Sequence, residues 1–270
     1  FLRATTAAMA QSVTTAATGQ QCTSRVIDHT PFFYGWVILI VGTLGIVMMG
    51  PSQTFTFSLF IDPLVTDVGI SRSALSLLYG LATLGAALLL PVTGRLVDRY
   101  GTRILMVFAT FGFGMACIAM SQVKGTATLL GGLLALRFLG FGSMQLVSNN
   151  VIAQWFVRRR GMVMGLAGQS LAISLLVFPL LTELLIARFT WRGAWVALGL
   201  LVCALMLPIA WFFFRDRPEL YGLQPDGNPS TGKLYPDIAN EENWTLAEAT
   251  HTAVFWTFAV SFLVISTITA

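Results

Sequence analysis

One cation sits where cations are costly. Arg137 falls about ten residues into the apolar stretch 127–150, which at 1.5 Å per residue is roughly 15 Å along a helix and near mid-membrane. A cation at that depth costs at least about 2.5–3.5 kcal/mol unless water or a partner meets it. No acid in the apolar stretches is spaced to pair with it. Its chemistry is therefore electrostatic. Arg137 either faces a central cavity, where it attracts an anion or couples ions, or bonds carbonyls of neighbouring helices and fixes their packing. At about 100° per residue, Arg137, Phe141, Met144 and Ser148 share one stripe, with Gln145 at its edge.

A second irregular point lies in the stretch 35–60. Pro51 removes a backbone donor and kinks a helix there, releasing a carbonyl from the ladder. Gln53 and Thr54 sit beside the break. Irregular backbone at membrane depth is tolerated where it lines a cavity or is buried in protein. Gln53 and Thr54 are thus candidate cavity contacts, with hydrogen-bonded helix packing as the alternative. Asn149, Asn150, Gln169, Ser170 and Ser174 read as packing groups, and Glu183 as an ion-pair partner for the Arg188–Arg192 turn. Chemistry of the enzymatic kind has no carrier. His29 and His251 lie outside the apolar stretches, no two acids stand close within them, and Cys22, Cys117 and Cys203 share no metal or disulfide spacing. No catalytic residue, metal or cofactor is expected.

The elements that hold these residues are written in the composition. Hydrophobic residues make up 56% of the chain and charged ones 10%, where a soluble domain would carry about a quarter charged. A helix needs roughly 20 apolar residues to span a bilayer. Six such stretches occur, at 35–60, 73–93, 104–123, 127–150, 162–187 and 194–214, and a seventh starts near Ala253. The net charge of +4 is not spread evenly. With a cytoplasmic N-terminus, the inside segments hold Arg3, Arg25, Arg95, Arg99, Arg103, Arg158, Arg159, Arg160, Arg215, Arg217 and Lys233. The outside loops hold Arg72, Lys124, Arg188 and Arg192. That bias is a topology signal, and it argues against nucleic acid as a partner.

Residues 1–32 are rich in Ala, Thr, Gln and Ser, lack an apolar run like that of a signal peptide, and are expected to be a disordered leader. The start at Phe1 and the stop within the seventh stretch are read as an incomplete translation. The expected divisions are a six-helix bundle at 33–214, a cytoplasmic linker at 215–252 and a truncated seventh helix at 253–270. The linker carries Arg215-Asp216-Arg217-Pro218-Glu219 and Pro225-Asp226-Gly227-Asn228-Pro229, which is turn chemistry. Thr245-Leu246-Ala247-Glu248 has the form of a capping box. An internal echo pairs Leu96-Val97-Asp98-Arg99-Tyr100-Gly101-Thr102-Arg103 with Leu185-Ile186-Ala187-Arg188-Phe189-Thr190-Trp191-Arg192 on opposite sides of the membrane. A repeat of inverted topology has this form.

The spacing Gly94-x-x-x-Asp98-Arg99-x-Gly101-x-Arg103 resembles the loop between helices 2 and 3 of the major facilitator superfamily. Tyr34-Gly35-Trp36, Trp155-Phe156-Val157-Arg158-Arg159-Arg160-Gly161, Trp191-Arg192-Gly193-Ala194-Trp195 and Arg215-Asp216-Arg217-Pro218-Glu219 are similar to its monocarboxylate-transporter-like and oxalate/formate-antiporter-like bacterial branch. The resemblance implies an all-α membrane protein, the six-helix N-terminal bundle of a twelve-helix fold with a 3+3 inverted repeat, followed by the start of helix 7. It also implies secondary transport of a small solute by alternating access, a small organic anion such as a carboxylate first and neutral solutes or drugs second. A sensor of the same shape is a further alternative. The expected partners are that solute, with proton or counter-substrate coupling, and the lipid bilayer, and the expected state is a monomer in the inner membrane. The resemblance gives Gly94, Asp98, Arg99, Gly101 and Arg103 the role of a cytoplasmic gate motif, with Asp98 latching a helix of the second half. Two departures stand out. Gly50-Pro51-Ser52-Gln53-Thr54 lacks the helix-1 lysine of animal monocarboxylate carriers, and Gly165-Leu166-Ala167-Gly168-Gln169-Ser170 lacks the Gly-Pro-x-x-Gly-Gly of drug/proton antiporters.

Overall fold

The computed structural model describes residues 32–221, 223–227, 248, 250–257, 260 and 261. Residues 1–31, with Arg3, Cys22, Arg25 and His29, lie outside the described residues, as do Lys233 and positions 245–247 of the expected capping box. The chain divides into two compact units, 1–229 and 230–270. No strand occurs among the described residues.

The first unit holds five long apolar helices, α1 (Gly35–Val68), α2 (Arg72–Tyr100), α3 (Thr102–Ser121), α4 (Thr126–Trp155) and α5 (Arg160–Phe213). Each is long and apolar enough to cross a bilayer. As one rod, the 54 residues of α5 would measure about 80 Å, far more than the ~30 Å of hydrocarbon available. It is broken at Thr190, whose φ of 66° and ψ of 168° are not helical. Its two arms, 160–189 and 191–213, correspond to the fifth and sixth apolar stretches.

Several boundaries differ from the sequence reading. α1 runs past residue 60 because Pro63 sits near the start of a new segment, Ile61–Val68, where its missing donor is harmless, and Gly69 (φ 71°) ends it. α2 runs through the charged motif to Tyr100 and stops at Gly101, whose φ is 84°. The Ser71 hydroxyl caps its start, accepting from the Ala74 N–H at 3.2 Å. α4 is not a uniform α-helix. Its centre, Leu136–Met144, is a π-helix.

The core is aromatic. Trp155, Trp195, Phe60, Phe113 and Phe178 are fully enclosed, and Phe60 stacks on Trp195 at 4.3 Å. α5 packs along α3 and α1. α2 is the opposite case. Only 17% of its most apolar window is buried, against 67% in α1.

Each end of the unit is tied by polar groups. At one end Asp216 accepts from the Thr102 N–H (2.5 Å), the Thr102 hydroxyl (2.8 Å) and the Arg103 N–H (3.2 Å), capping α3. Asp226 accepts from the N–H groups of Val157, Arg158 and Arg159 at 3.0, 2.7 and 3.2 Å. The Trp155 indole donates to the Asp216 carbonyl at 2.7 Å and the Tyr34 hydroxyl to the Phe213 carbonyl at 2.8 Å. Burial raises the Tyr34 phenol above its ordinary value, with Arg215 opposing the shift, so the hydroxyl stays a donor. The basic runs 99–103, 158–160 and 215–217 therefore gather at one end. At the other end Arg192 donates to the carbonyls of Ser121 (2.9 Å) and Val123 (3.1 Å) and pairs with Asp67 at 3.6 Å. Trp191 donates to the same Asp67 carboxylate at 2.9 Å. Glu183, read as a partner for this turn, is exposed and makes no ion pair among the described residues.

In the second unit, 253–257, 260 and 261 are helical, and the Thr252 hydroxyl accepts from the Phe255 N–H at 3.4 Å.

Candidate functional site

The break in α1 follows from Pro51. The carbonyl one turn back, Val47, would need the N–H that proline lacks. The Ser174 hydroxyl, from the first arm of α5, donates to it instead at 3.3 Å. Residues Gly50–Ser52 tighten into a 3₁₀ turn, and Gln53 is extended (φ −77°, ψ 148°) before the chain turns helical again at Thr54. The Gln53 carbonyl collects the N–H groups of both Thr56 (3.2 Å) and Phe57 (2.9 Å). Thr56 would otherwise serve Ser52, so the Ser52 carbonyl loses its helical donor.

Arg137 fills that gap. Its Nη1 donates to the Ser52 carbonyl at 3.1 Å and its Nε to the Thr83 hydroxyl of α2 at 3.1 Å. The guanidinium lies 4.3 Å from the centroid of the Phe141 ring and 5.1 Å from that of Tyr79. It is 7% exposed, and every partner is neutral. Aromatic faces attract cations in dry surroundings, by about 2 kcal/mol or more. They do not cancel the charge. Among the described residues, a full positive charge thus stands inside the apolar part of the bundle with no acid bonded to it.

The π-segment of α4 positions this group. Its wider turn keeps Phe141 under Arg137, while Met144 and Ser148 turn into the core and are fully buried. At Gly140 an added Cβ would stand 2.8 Å from the Ser52 hydroxyl and collide with Phe113. The absence of a side chain there lets α4 close on the broken turn of α1.

Of the residues singled out from the sequence, Arg137, Gln53 and Thr54 come together. The Thr54 hydroxyl hydrogen-bonds the Tyr79 hydroxyl at 3.0 Å, and the Tyr79 ring stacks on Phe57 at 4.9 Å. Gln53 is 7% exposed, and its Nε2 is enclosed without a protein partner. Ser148 stands apart, packed where Gly45 leaves room, with an unpartnered hydroxyl. Gln145 is half-buried. Tyr79 and Thr83 were missed. They are polar residues four apart in an otherwise apolar stretch, and that spacing puts both on one helix face. Among the described residues, no group of His, Cys, Asp or Glu could hold a metal ion.

The motif running from Gly94 to Arg103 lies at the basic end, where α2 meets α3. Asp98 and Arg99 are exposed, Gly94 is half-buried, and Gly101 forms the joint. Arg103 lies 4.8 Å from the Trp211 ring centroid. Asp98, Gln154, Asp216, Arg217 and Leu220 line a hollow of about 410 Å³ there.

Residues 43–270 match the family model of the Major Facilitator Superfamily. The chain is similar to the uncharacterized MFS-type transporter YhjX of Escherichia coli (strain K12), 27% identical over 84% of this chain and 53% of that protein. It is also similar to the oxalate:formate antiporter of Oxalobacter formigenes, 23% identical over 84% of this chain and 51% of that protein. Human monocarboxylate transporter 6 is 26% identical over 65% of this chain and 34% of its own length. The chain thus spans between about a third and a half of the length of these relatives. With its apolar helices and a family match over most of its length, this multi-pass membrane chain belongs to the major facilitator superfamily.

Proposed function

We propose that this chain forms the first six-helix bundle of a secondary transporter that moves a small organic anion, a carboxylate first, by alternating access. Residues 33–214 are its helices, 215–252 its cytoplasmic linker and 253–270 the start of a second bundle. The basic end faces the cytoplasm, which follows from the positive-inside bias. The carrier sits in the inner membrane as a monomer, and a proton or counter-substrate is exchanged or carried with the solute.

The observation that carries this reading is the Arg137 site. Among the described residues, a buried guanidinium is answered by the Ser52 carbonyl, the Thr83 hydroxyl and two aromatic faces. Intramembrane cations face the bundle interior or a water-filled cavity and pair with other charges or, as Arg137 does with Ser52, with backbone carbonyls. A carboxylate would satisfy the charge, and Thr54, Tyr79 and Gln53 lie beside it to bond the rest of a small solute. The similarity to an oxalate:formate antiporter and a monocarboxylate transporter supports the same chemistry.

The test is counterflow in proteoliposomes holding the whole protein, with labelled oxalate, formate and lactate. Saturable exchange is expected. Arg137→Gln is expected to lower it at least about 100-fold, the loss of a buried charge-assisted contact, while the protein still reaches the membrane. Full exchange by that variant, or uptake confined to neutral solutes, would overturn the anion reading. Binding without exchange would mark a sensor.

A further inference from the structure

We propose that the Ser52 carbonyl is a built-in stand-in for the substrate's carboxylate, so that anion binding at Arg137 and repair of the break in α1 are one event. This rests on Arg137 being the anion contact. A carboxylate bound by the fork of Nη1 and Nη2 competes for the Nη1 group, which the Ser52 carbonyl engages at 3.1 Å. That carbonyl is available because its own helical donor, the Thr56 N–H, is diverted to the Gln53 carbonyl at 3.2 Å. The break and the arginine contact therefore sustain each other.

The trade runs in a defined direction. A carboxylate carries a full charge, and hydrogen bonds between ionised partners are about twice as strong as neutral ones. An arriving carboxylate displaces the Ser52 carbonyl from Nη1. The displaced carbonyl then lies one turn from the Thr56 N–H, its ordinary helical partner. Taking that donor draws Gln53 from its extended backbone (φ −77°, ψ 148°) into helix. Pro51, which lacks the donor that would join the two segments, holds the unliganded chain toward the broken form without forbidding helix from residue 52 onward. Gln53 Nε2, enclosed without a protein partner in the broken form, has its surroundings remade by the same step.

The local packing supports two arrangements. Gly140 brings α4 against Ser52 at the π-segment, and π-turns are local departures from α-helical register that recur at functional sites. Ser174 holds the Val47 carbonyl on the far side of Pro51 and anchors the inner part of α1 whichever way residues 52–56 are bonded. The substrate's charge thus sets the shape of α1 outward from Pro51. The consequence is selectivity by response. A neutral solute can occupy the site without displacing the carbonyl, and then α1 stays broken.

Two measurements on the purified whole protein test this, calorimetric titration with oxalate, formate and lactate and hydrogen–deuterium exchange over 48–57. A bound anion is expected to slow exchange of the amides at 53–57 about fivefold or more. Arg137→Gln is expected to lose both binding and that protection. Pro51→Ala permits a continuous helix, so it is expected to show slow exchange before any anion is added. It should bind about tenfold more tightly, since the competent form is then already populated. Suppose Arg137→Gln abolishes binding but the wild-type amides at 53–57 do not change with anion. The trade is then overturned while the anion contact stands. Equal binding by wild type and Arg137→Gln, or no binding of any of the three anions, overturns the contact and this inference with it. Should Pro51→Ala fail to fold, the wild-type exchange measurement decides alone.

Discussion

The carboxylate that caps α3 is Asp216, more than a hundred positions further along the chain, and not Asp98 a few residues before it. Asp98 points outward from the last turn of α2 and makes no hydrogen bond among the described residues, whereas Asp216 accepts from three donors at the start of α3. Local spacing reveals caps supplied by neighbours, and a cap delivered from after the sixth helix leaves no such trace. Arg137 and Pro51 were legible for the converse reason, since a charge and a proline inside apolar stretches are anomalies in one dimension. What meets them, Ser52, Thr83 and Ser174, is decided by how the helices cross. Losing a helix cap costs about 0.5–2 kcal/mol, and more when the capping group is charged. Asp216→Ala is therefore expected to cost about 2 kcal/mol, read as a lower Tm for the protein in detergent. Asp98→Ala is expected to leave Tm within a degree or so of wild type. Equal losses in both variants would remove the capping role from Asp216.

At the scale of elements, the two echoing octets share more than residue types. Gly101 and Thr190 occupy the same place in the repeat and adopt nearly the same backbone, φ 84° and ψ 164° against φ 66° and ψ 168°. Both turn the chain between two membrane-length helices at opposite ends of the unit, as an inverted repeat requires. At Gly101 an added Cβ would stand 2.7 Å from the Asp216 carboxylate, so the glycine is needed for both its φ and its close neighbour. Thr190 holds the same conformation with a β-branched side chain, in a region that costs about 1–3 kcal/mol for any residue but glycine. Thr190→Gly is accordingly expected to raise Tm, by the equivalent of about 1 kcal/mol, and Gly101→Ala to lower it by at least as much. A drop in Tm for Thr190→Gly would mean the threonine side chain contributes more than its backbone costs. The echo could be read from the sequence, but the π-segment of α4 could not. A stripe drawn at 100° per residue assumes α geometry, and Leu136–Met144 is wound as a π-helix with a wider turn. Six apolar stretches were countable because membrane length is a one-dimensional property. Their ends moved where glycines and linker acids, rather than hydropathy, end the helices.

For the whole molecule, a transporter alternates between states that differ by only a few kcal/mol, so modest contacts bias its cycle. The first bundle is tied at both ends, by Asp216 and Asp226 at the basic end and by Arg192 with Asp67 at the other. Such ties hold the helices of this unit to one another at both ends. Asp98 is outside them. It stands exposed at the rim of the basic-end hollow and makes no hydrogen bond among the described residues. We propose that it latches one state of the cycle against the second half. Neutralising it should then change rates without changing the solute site proposed around Arg137. Asp98→Asn is expected to slow exchange in proteoliposomes about tenfold, equivalent to roughly 1.4 kcal/mol, with solute affinity and Tm unchanged. The pairing of readouts separates a latch from a fold defect, because a structural role would move Tm and a solute contact would move affinity. Exchange at the wild-type rate would assign the latch to another group on that end, with exposed Arg99 the next to replace.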